Sequence, residues 1–262
     1  MEHQGMKVSK LEHHVFSKDV SNVIQNPALR FFAKIISYIF HPVFVPVYMM
    51  LYMVYVHPYL FAGMMPQDKF RVSAMAILMF TFFPLVTVGL LKALGFIESV
   101  YLHTQKDRII PLIACGVFYF WITYIWWNSN KITGNFFIPQ QSVQFALSVF
   151  FASWLGLMIN IKIKVSLHAI SMGVLLTTML LFALSSQINF GLWLAVALLC
   201  TGMVCTARLM VSDHKSYEIY FGLLAGALAV FAADFVVSNF HKLFIENKKR
   251  LPKEPFQFLT LK

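Results

Sequence analysis

Charge is what this 262-residue chain lacks most: 12% of its residues are Asp, Glu, Lys or Arg, where a soluble domain carries about a quarter. That scarcity excludes an ordinary soluble globular domain. Cysteine is scarce as well. Cys115, Cys200 and Cys205 all fall inside apolar runs, without Cys-x-x-Cys spacing, so they read as small core residues and say little about redox compartment. No internal repeat and no low-complexity stretch interrupts the chain. The formal charge of +10 is not a nucleic-acid signature, because the Lys and Arg sit in loops and tails without the interleaved aromatics that a single strand stacks on.

What the chain has in abundance is apolar sequence, 59% of all residues. It is organised in runs of roughly 17 to 25 residues, each able to cross a hydrocarbon layer of about 30 Å. The pattern predicts an all-α, polytopic transmembrane bundle. The expected spans are Ile35–Val56, Val72–Leu94, Pro111–Trp127, Val143–Ile159, Leu167–Leu184, Leu192–Leu209 and Ile219–Val237. Trp and Tyr cluster near their ends, as interface anchors do. Pro42, Pro46 and Pro84 lie within spans and predict kinks. His41-Pro42 followed by Pro46 leaves open a re-entrant first segment, which would reduce the count to six. Residues 1–30 form a polar N-terminal segment unlike a secretory signal, 31–241 the helical domain, and 242–262 a basic tail on a membrane surface.

Parity then gathers the polar chemistry. The loops after the second, fourth and sixth spans open on one side, and they hold Lys106, Asp107 and Arg108, then Lys162, Lys164, Ser166 and His168, then Arg208 through Glu218. Arg208 ends the sixth span, His214 sits in a turn, and Glu218 opens the seventh. A carboxylate one helical turn beyond a histidine bonds one ring nitrogen and fixes the tautomer, which raises the basicity of the other. The free nitrogen then serves as base or nucleophile, and Arg208 offers a planar fork of donors suited to phosphate. Ser166 reads as the N-cap of the fifth span, placing His168 in its first turn, where anions are favoured. There His168 could protonate a leaving oxygen. Blander readings stand beside these. Lys162 and Lys164 read better as snorkelling residues, His41 as a polar helix contact near a kink, and Asp234 as a snorkelling or capping carboxylate. Gly222 and Gly226 read as a close-packing pair.

The order and spacing of these elements, a Lys/Arg cluster, then Ser166-Leu167-His168, then Arg208-x5-His214-x3-Glu218, resemble the type 2 phosphatidic acid phosphatase superfamily. The resemblance covers roughly Lys106 to Gly226, within a phosphatase-like core of about residues 103–239, and the first two spans lie outside it. It implies an integral membrane phosphatase acting on a lipid phosphate or polyprenyl diphosphate through a phosphohistidine. His214 would be the nucleophile, Glu218 its orienting acid and His168 the proton donor. Lys106, Arg108, Ser166 and Arg208 would bind phosphate, with no metal or cofactor. The usual setting would be a bacterial inner membrane with the site outside the cytoplasm and the C-terminus inside. Four features depart from the family pattern: the first motif is compressed around Arg108 and Pro111, Leu167 stands where a glycine is usual, Ala207 replaces a serine and Glu218 replaces an aspartate. Those departures make a weakened relative that binds phosphorylated lipid, or acts as a scaffold, the alternative. A transporter is less well supported, since no inverted repeat is visible.

Overall fold

The computed structural model describes residues 26–100, 102, 104–129, 138–185, 189–211 and 214–250, and of residues 241–250 the backbone alone. Most of the polar N-terminal segment, the last part of the basic tail and His103 lie outside the described residues. Every regular element among those described is a helix.

The first apolar segment departs from expectation. Instead of one span over Ile35–Val56, it is α1 (Pro27–Ile39), a break over residues 40–44, and α2 (Val45–Leu51), which runs on through a π-helical turn at Tyr52–Val56. Asn26 starts α1 by accepting from the amide of Ala28, with Pro27 at the first helical position, where its missing N–H costs nothing. Pro42 causes the break. It has no N–H to offer the Tyr38 carbonyl one turn back, so the amide of His41 tightens onto Tyr38 O at 3.3 Å. The Ser37 carbonyl thereby loses its helical partner. Neighbouring elements take up the freed groups: Ser37 O accepts from His168 Nε2 at 3.0 Å and Val43 O from Thr81 Oγ1 at 2.8 Å. This is how a broken helix is tolerated at membrane depth. Beyond the break, His57 packs against Phe182 and Phe190, at the opposite end of the bundle from His168. The segment is thus not one regular span but a broken element.

Among the described residues, six helices are long and apolar enough to cross a membrane. The first, Pro66–Ala93, consists of α3 (Pro66–Ile77), a π-helical stretch at Leu78–Phe82 and α4 (Phe83–Ala93). The wide turn lies just ahead of Pro84, whose ring would otherwise meet the carbonyl of Phe80. The others are α5 (Gln105–Trp127), α6 (Gln140–Asn160), α7 (Leu167–Ser185), α8 (Gly191–Val211) and α9 (Ser216–Arg250). The last helix runs well past its expected end at Val237.

Packing follows the order α4, α5, α6, α9, α7, α8, α1, with α7 against α9 the most extensive contact and α2 lying on α7 and α3. Glycines explain the first of these. A Cβ built on Gly226 would collide with Ile170 O and Val174 N, one on Gly173 with Leu223 O, and one on Gly222 with Ser166 O and Ala169 Cβ. The two backbones touch, as the Gly222/Gly226 spacing led one to expect. Asp234 corrects its sequence reading: it accepts from Gln144 Nε2 at 3.0 Å and so ties α9 to α6. Elsewhere the core is aromatic, with Phe80 against Tyr119, Trp126 and Phe145. Leu192, Leu199 and Phe235 are among the large apolar side chains left exposed.

Candidate functional site

Three helix starts and the α1 break meet at one end of the bundle. Thr104 caps α5 by accepting from the amide of Asp107 at 3.1 Å. Asn160 and Gln105 exchange side-chain-to-carbonyl hydrogen bonds, each 2.8 Å, which lock the end of α6 to the start of α5. Ser166 caps α7 by accepting from the amide of Ala169 at 3.4 Å, and its own amide donates to the Glu218 carbonyl at 3.3 Å. The loops that parity assigned to one face are bonded to one another.

Glu218 is the hub. Its Oε2 accepts from His214 Nδ1 at 2.7 Å and from the Lys215 amide at 3.2 Å. Both His214 and Glu218 are buried. The bond puts the ring proton on Nδ1 and leaves Nε2 as the nitrogen that Glu218 does not engage. Burial pushes the His214 imidazole below its ordinary 6.5, and the guanidinium charges of Arg108 and Arg208 push the same way against the upward pull of the Glu218 hydrogen bond. The folded ring is therefore neutral near pH 7, the form a nucleophile or base needs. The unfolded ring takes up its proton near 6.5, whereas the folded one does so only at lower pH. Its contribution to stability is complete above 6.5 and lost as pH falls through the folded value. Melting curves should show stability dropping below pH 6.5, and His214→Gln should make that drop shallower.

Arg108 is buried and braced. Its Nε donates to Leu102 O and its Nη1 to Val165 O, both at 2.9 Å. Leu102 has a left-handed backbone, with φ 52°, so Arg108 pins a strained loop as well as the approach to α7. His168 donates Nε2–H to Ser37 O at 3.0 Å. The ring of His41 stands edge-on to it, with centroids 5.4 Å apart, and Arg208 and His214 act on it electrostatically.

These groups border a cavity of about 810 Å³. Lys34, Arg108, Lys164 and Arg208 line it together with His41, His168 and His214, and among the described lining residues none is a carboxylate. Deeper in, the walls are apolar: Pro84, Leu85, Val88, Phe145 and Val149. The cavity joins a cationic mouth to a greasy chamber. Among the described residues no group of three or more His, Cys, Asp or Glu side chains is arranged to hold a metal ion.

Of the residues expected at the site, His214, Glu218, His168, Arg108 and Arg208 come together. Lys106 and Ser166 do not. Lys106 is exposed on the outer side of α5 and away from the cavity wall. Ser166 is fully buried, its oxygen accepts the α7 cap bond, and it does not line the cavity. Conversely, Lys164, read as a snorkelling residue, lines the cavity, as do His41, Lys34 and Ser37. The last three sit on the broken first segment, where only the His41-Pro42 pair signalled anything unusual. Comparison with family models, with curated proteins and with solved structures gives no match.

Proposed function

We propose that this chain is an integral membrane phosphatase, resembling the type 2 phosphatidic acid phosphatases, that hydrolyses a lipid phosphate or polyprenyl diphosphate. The observation that carries the reading is the two-ended cavity: four cations and no carboxylate among its described lining residues at one end, apolar walls at the other. A phosphorylated amphiphile matches both ends. Arg208, with the remaining guanidinium nitrogen of Arg108, holds the phosphate oxygens. His214 Nε2 attacks phosphorus and the bond to the leaving oxygen breaks. The leaving oxygen takes a proton, and water then cleaves the phosphohistidine to inorganic phosphate. Preorganised cations supply the charge stabilisation. The most natural setting is the extracytoplasmic face of a bacterial inner membrane, with the basic C-terminus in the cytoplasm.

A second reading, phosphorylated-lipid binding without turnover, has specific support. The proton that His168 would donate is committed to Ser37 O, and Leu167, in place of the family's glycine, lines the cavity. Turnover requires His168 to exchange its bond to Ser37 for one to the leaving oxygen.

The deciding experiment is phosphate release by detergent-purified protein from phosphatidic acid and from undecaprenyl diphosphate, wild type beside His214→Ala. The expected result is release by the wild type and background by the variant. Binding of either lipid without release would establish the second reading. Equal release by both proteins would remove His214 from the chemistry.

A further inference from the structure

The α1 break contributes an atom whose chemistry is unspent. Ser37 is 7% exposed and lines the cavity, yet its Oγ has no hydrogen-bond partner. A buried helical hydroxyl normally returns to the carbonyl one turn back. In this chain Thr123 does so onto Tyr119 O, Thr178 onto Val174 O and Thr201 onto Ala197 O, at 2.7, 2.8 and 2.7 Å. Ser37 does not. Tyr52, Trp126 and Asn160 also carry buried polar atoms without partners, but none of those three lines the cavity. Leaving a buried hydroxyl unpaired costs stability, and such costs are retained where the group has a ligand to meet.

The surroundings say which ligand. The carbonyl of this same residue holds His168. The His41 ring stands against His168, and Arg208 acts electrostatically on both. The neighbourhood is cationic or neutral and rich in donors, so the matching partner is an oxyanion that accepts from all of them.

We propose that Ser37 Oγ–H donates to a phosphate oxygen of the ligand held by Arg208, a hydroxyl contact made from the cavity wall, which Ser166 does not line, so that the broken first segment is part of the binding site. This rests on the phosphate-binding reading above and adds a contact from outside the phosphatase-like core. It also accounts for the position of the break. Pro42 releases the Ser37 carbonyl to His168 while the Ser37 hydroxyl stays free for the ligand, so one residue faces both the proton donor and the phosphate.

The test is titration of the detergent-purified full chain with inorganic phosphate and with orthovanadate, following binding by calorimetry and unliganded stability by melting. Loss of one hydrogen bond to a charged group corresponds to about tenfold to a hundredfold in affinity. Ser37→Ala is expected to weaken both anions by that factor, while its unliganded melting temperature stays level or rises because an unpaired polar atom is gone. Ser37→Thr, which keeps the hydroxyl, is expected to bind within a few-fold of wild type. Ser37→Cys, of similar size but a weak donor, should behave like the alanine variant and serves as a second loss variant if Ser37→Ala does not fold. Wild-type affinity in both loss variants would overturn the Ser37 assignment and leave the phosphate site standing. A lower melting temperature with unchanged affinity would show a structural serine and overturn it too. Failure of the wild type to bind either anion would sink the phosphate reading itself, and the inference with it.

Discussion

Gly226→Leu is expected to leave no properly folded protein, or to lower stability by at least about 3 kcal/mol, a large share of the roughly 5–15 kcal/mol that holds a folded chain together. The collision is with backbone. A Cβ on Gly226 already meets Ile170 O, Val174 N and the Gly173 carbonyl carbon, and no rotamer change moves those atoms. Relief requires α9 to withdraw from α7 along their whole contact, which would separate His168 on α7 from His214 and Glu218. Thermal melting with size-exclusion profiles in detergent would measure the loss. Gly202→Ala is the control. Its Cβ would enter open space, and replacing a mid-helix glycine there should be neutral or stabilising by about 0.5–1 kcal/mol. Equal behaviour of the two variants would contradict the packing account.

The α7–α9 contact shows why much of the bundle was legible from sequence. Membrane spans announce themselves by length and apolarity, because each must satisfy its own backbone and cannot borrow from water. The six helices after the first segment therefore coincide with the expected spans, although Pro66–Ala93 and Gln105–Trp127 start about two turns early and the last helix runs on to Arg250. The first segment was harder because two effects oppose each other within it. Its apolar length argues for a continuous span, whereas Pro42 deprives the Tyr38 carbonyl of its donor. The outcome depends on whether neighbours can adopt the freed groups. Here His168 and Thr81 do, and neither partnership follows from spacing along the chain.

The same distinction separates the site residues that sequence identified from those it missed. His214 and Glu218 are one helical turn apart, so local geometry nearly dictates their 2.7 Å bond. Ser166 was identified in position but not in use. Its hydroxyl caps α7 and is fully buried away from the cavity wall. Lys106 fails for an angular reason: it precedes buried Asp107 and Arg108, and on a helix that displacement turns it away from the cavity. Lys164 has the opposite history. Its flanking apolar residues suggested an interfacial role, but the loop before α7 folds in toward Arg108 and carries it to the cavity wall. Ser37 and His41 were invisible as site residues because they act across the bundle.

Replacing Glu218 by glutamine is expected to cut any phosphate release by about a hundredfold to ten-thousandfold, the range over which positioned acid–base groups act, while sparing the fold. The fold is spared because the bond that ties α7 to α9 here uses the Glu218 backbone carbonyl, which accepts from the Ser166 amide, and glutamine keeps that carbonyl. Its amide oxygen can still accept from the Lys215 amide. What disappears is the negative charge opposite His214 Nδ1, where on the proposed mechanism the ring would become cationic as its other nitrogen bonds phosphorus. Glu218 is in this sense a positioning residue acting through His214, and the consequence has a signature that a merely structural role would not produce. Glu218 counteracts burial and the arginine charges by holding the His214 pKa up, so Glu218→Gln should move it further below 6.5. That shift can be read from the imidazole resonances by NMR even if the protein binds phosphorylated lipid without turning it over. A variant with reduced turnover but an unmoved His214 titration would mean that the carboxylate acts on something other than the imidazole. An upward shift would mean that Glu218 does not stabilise the imidazolium, and its assignment as the acid that orients His214 would fall.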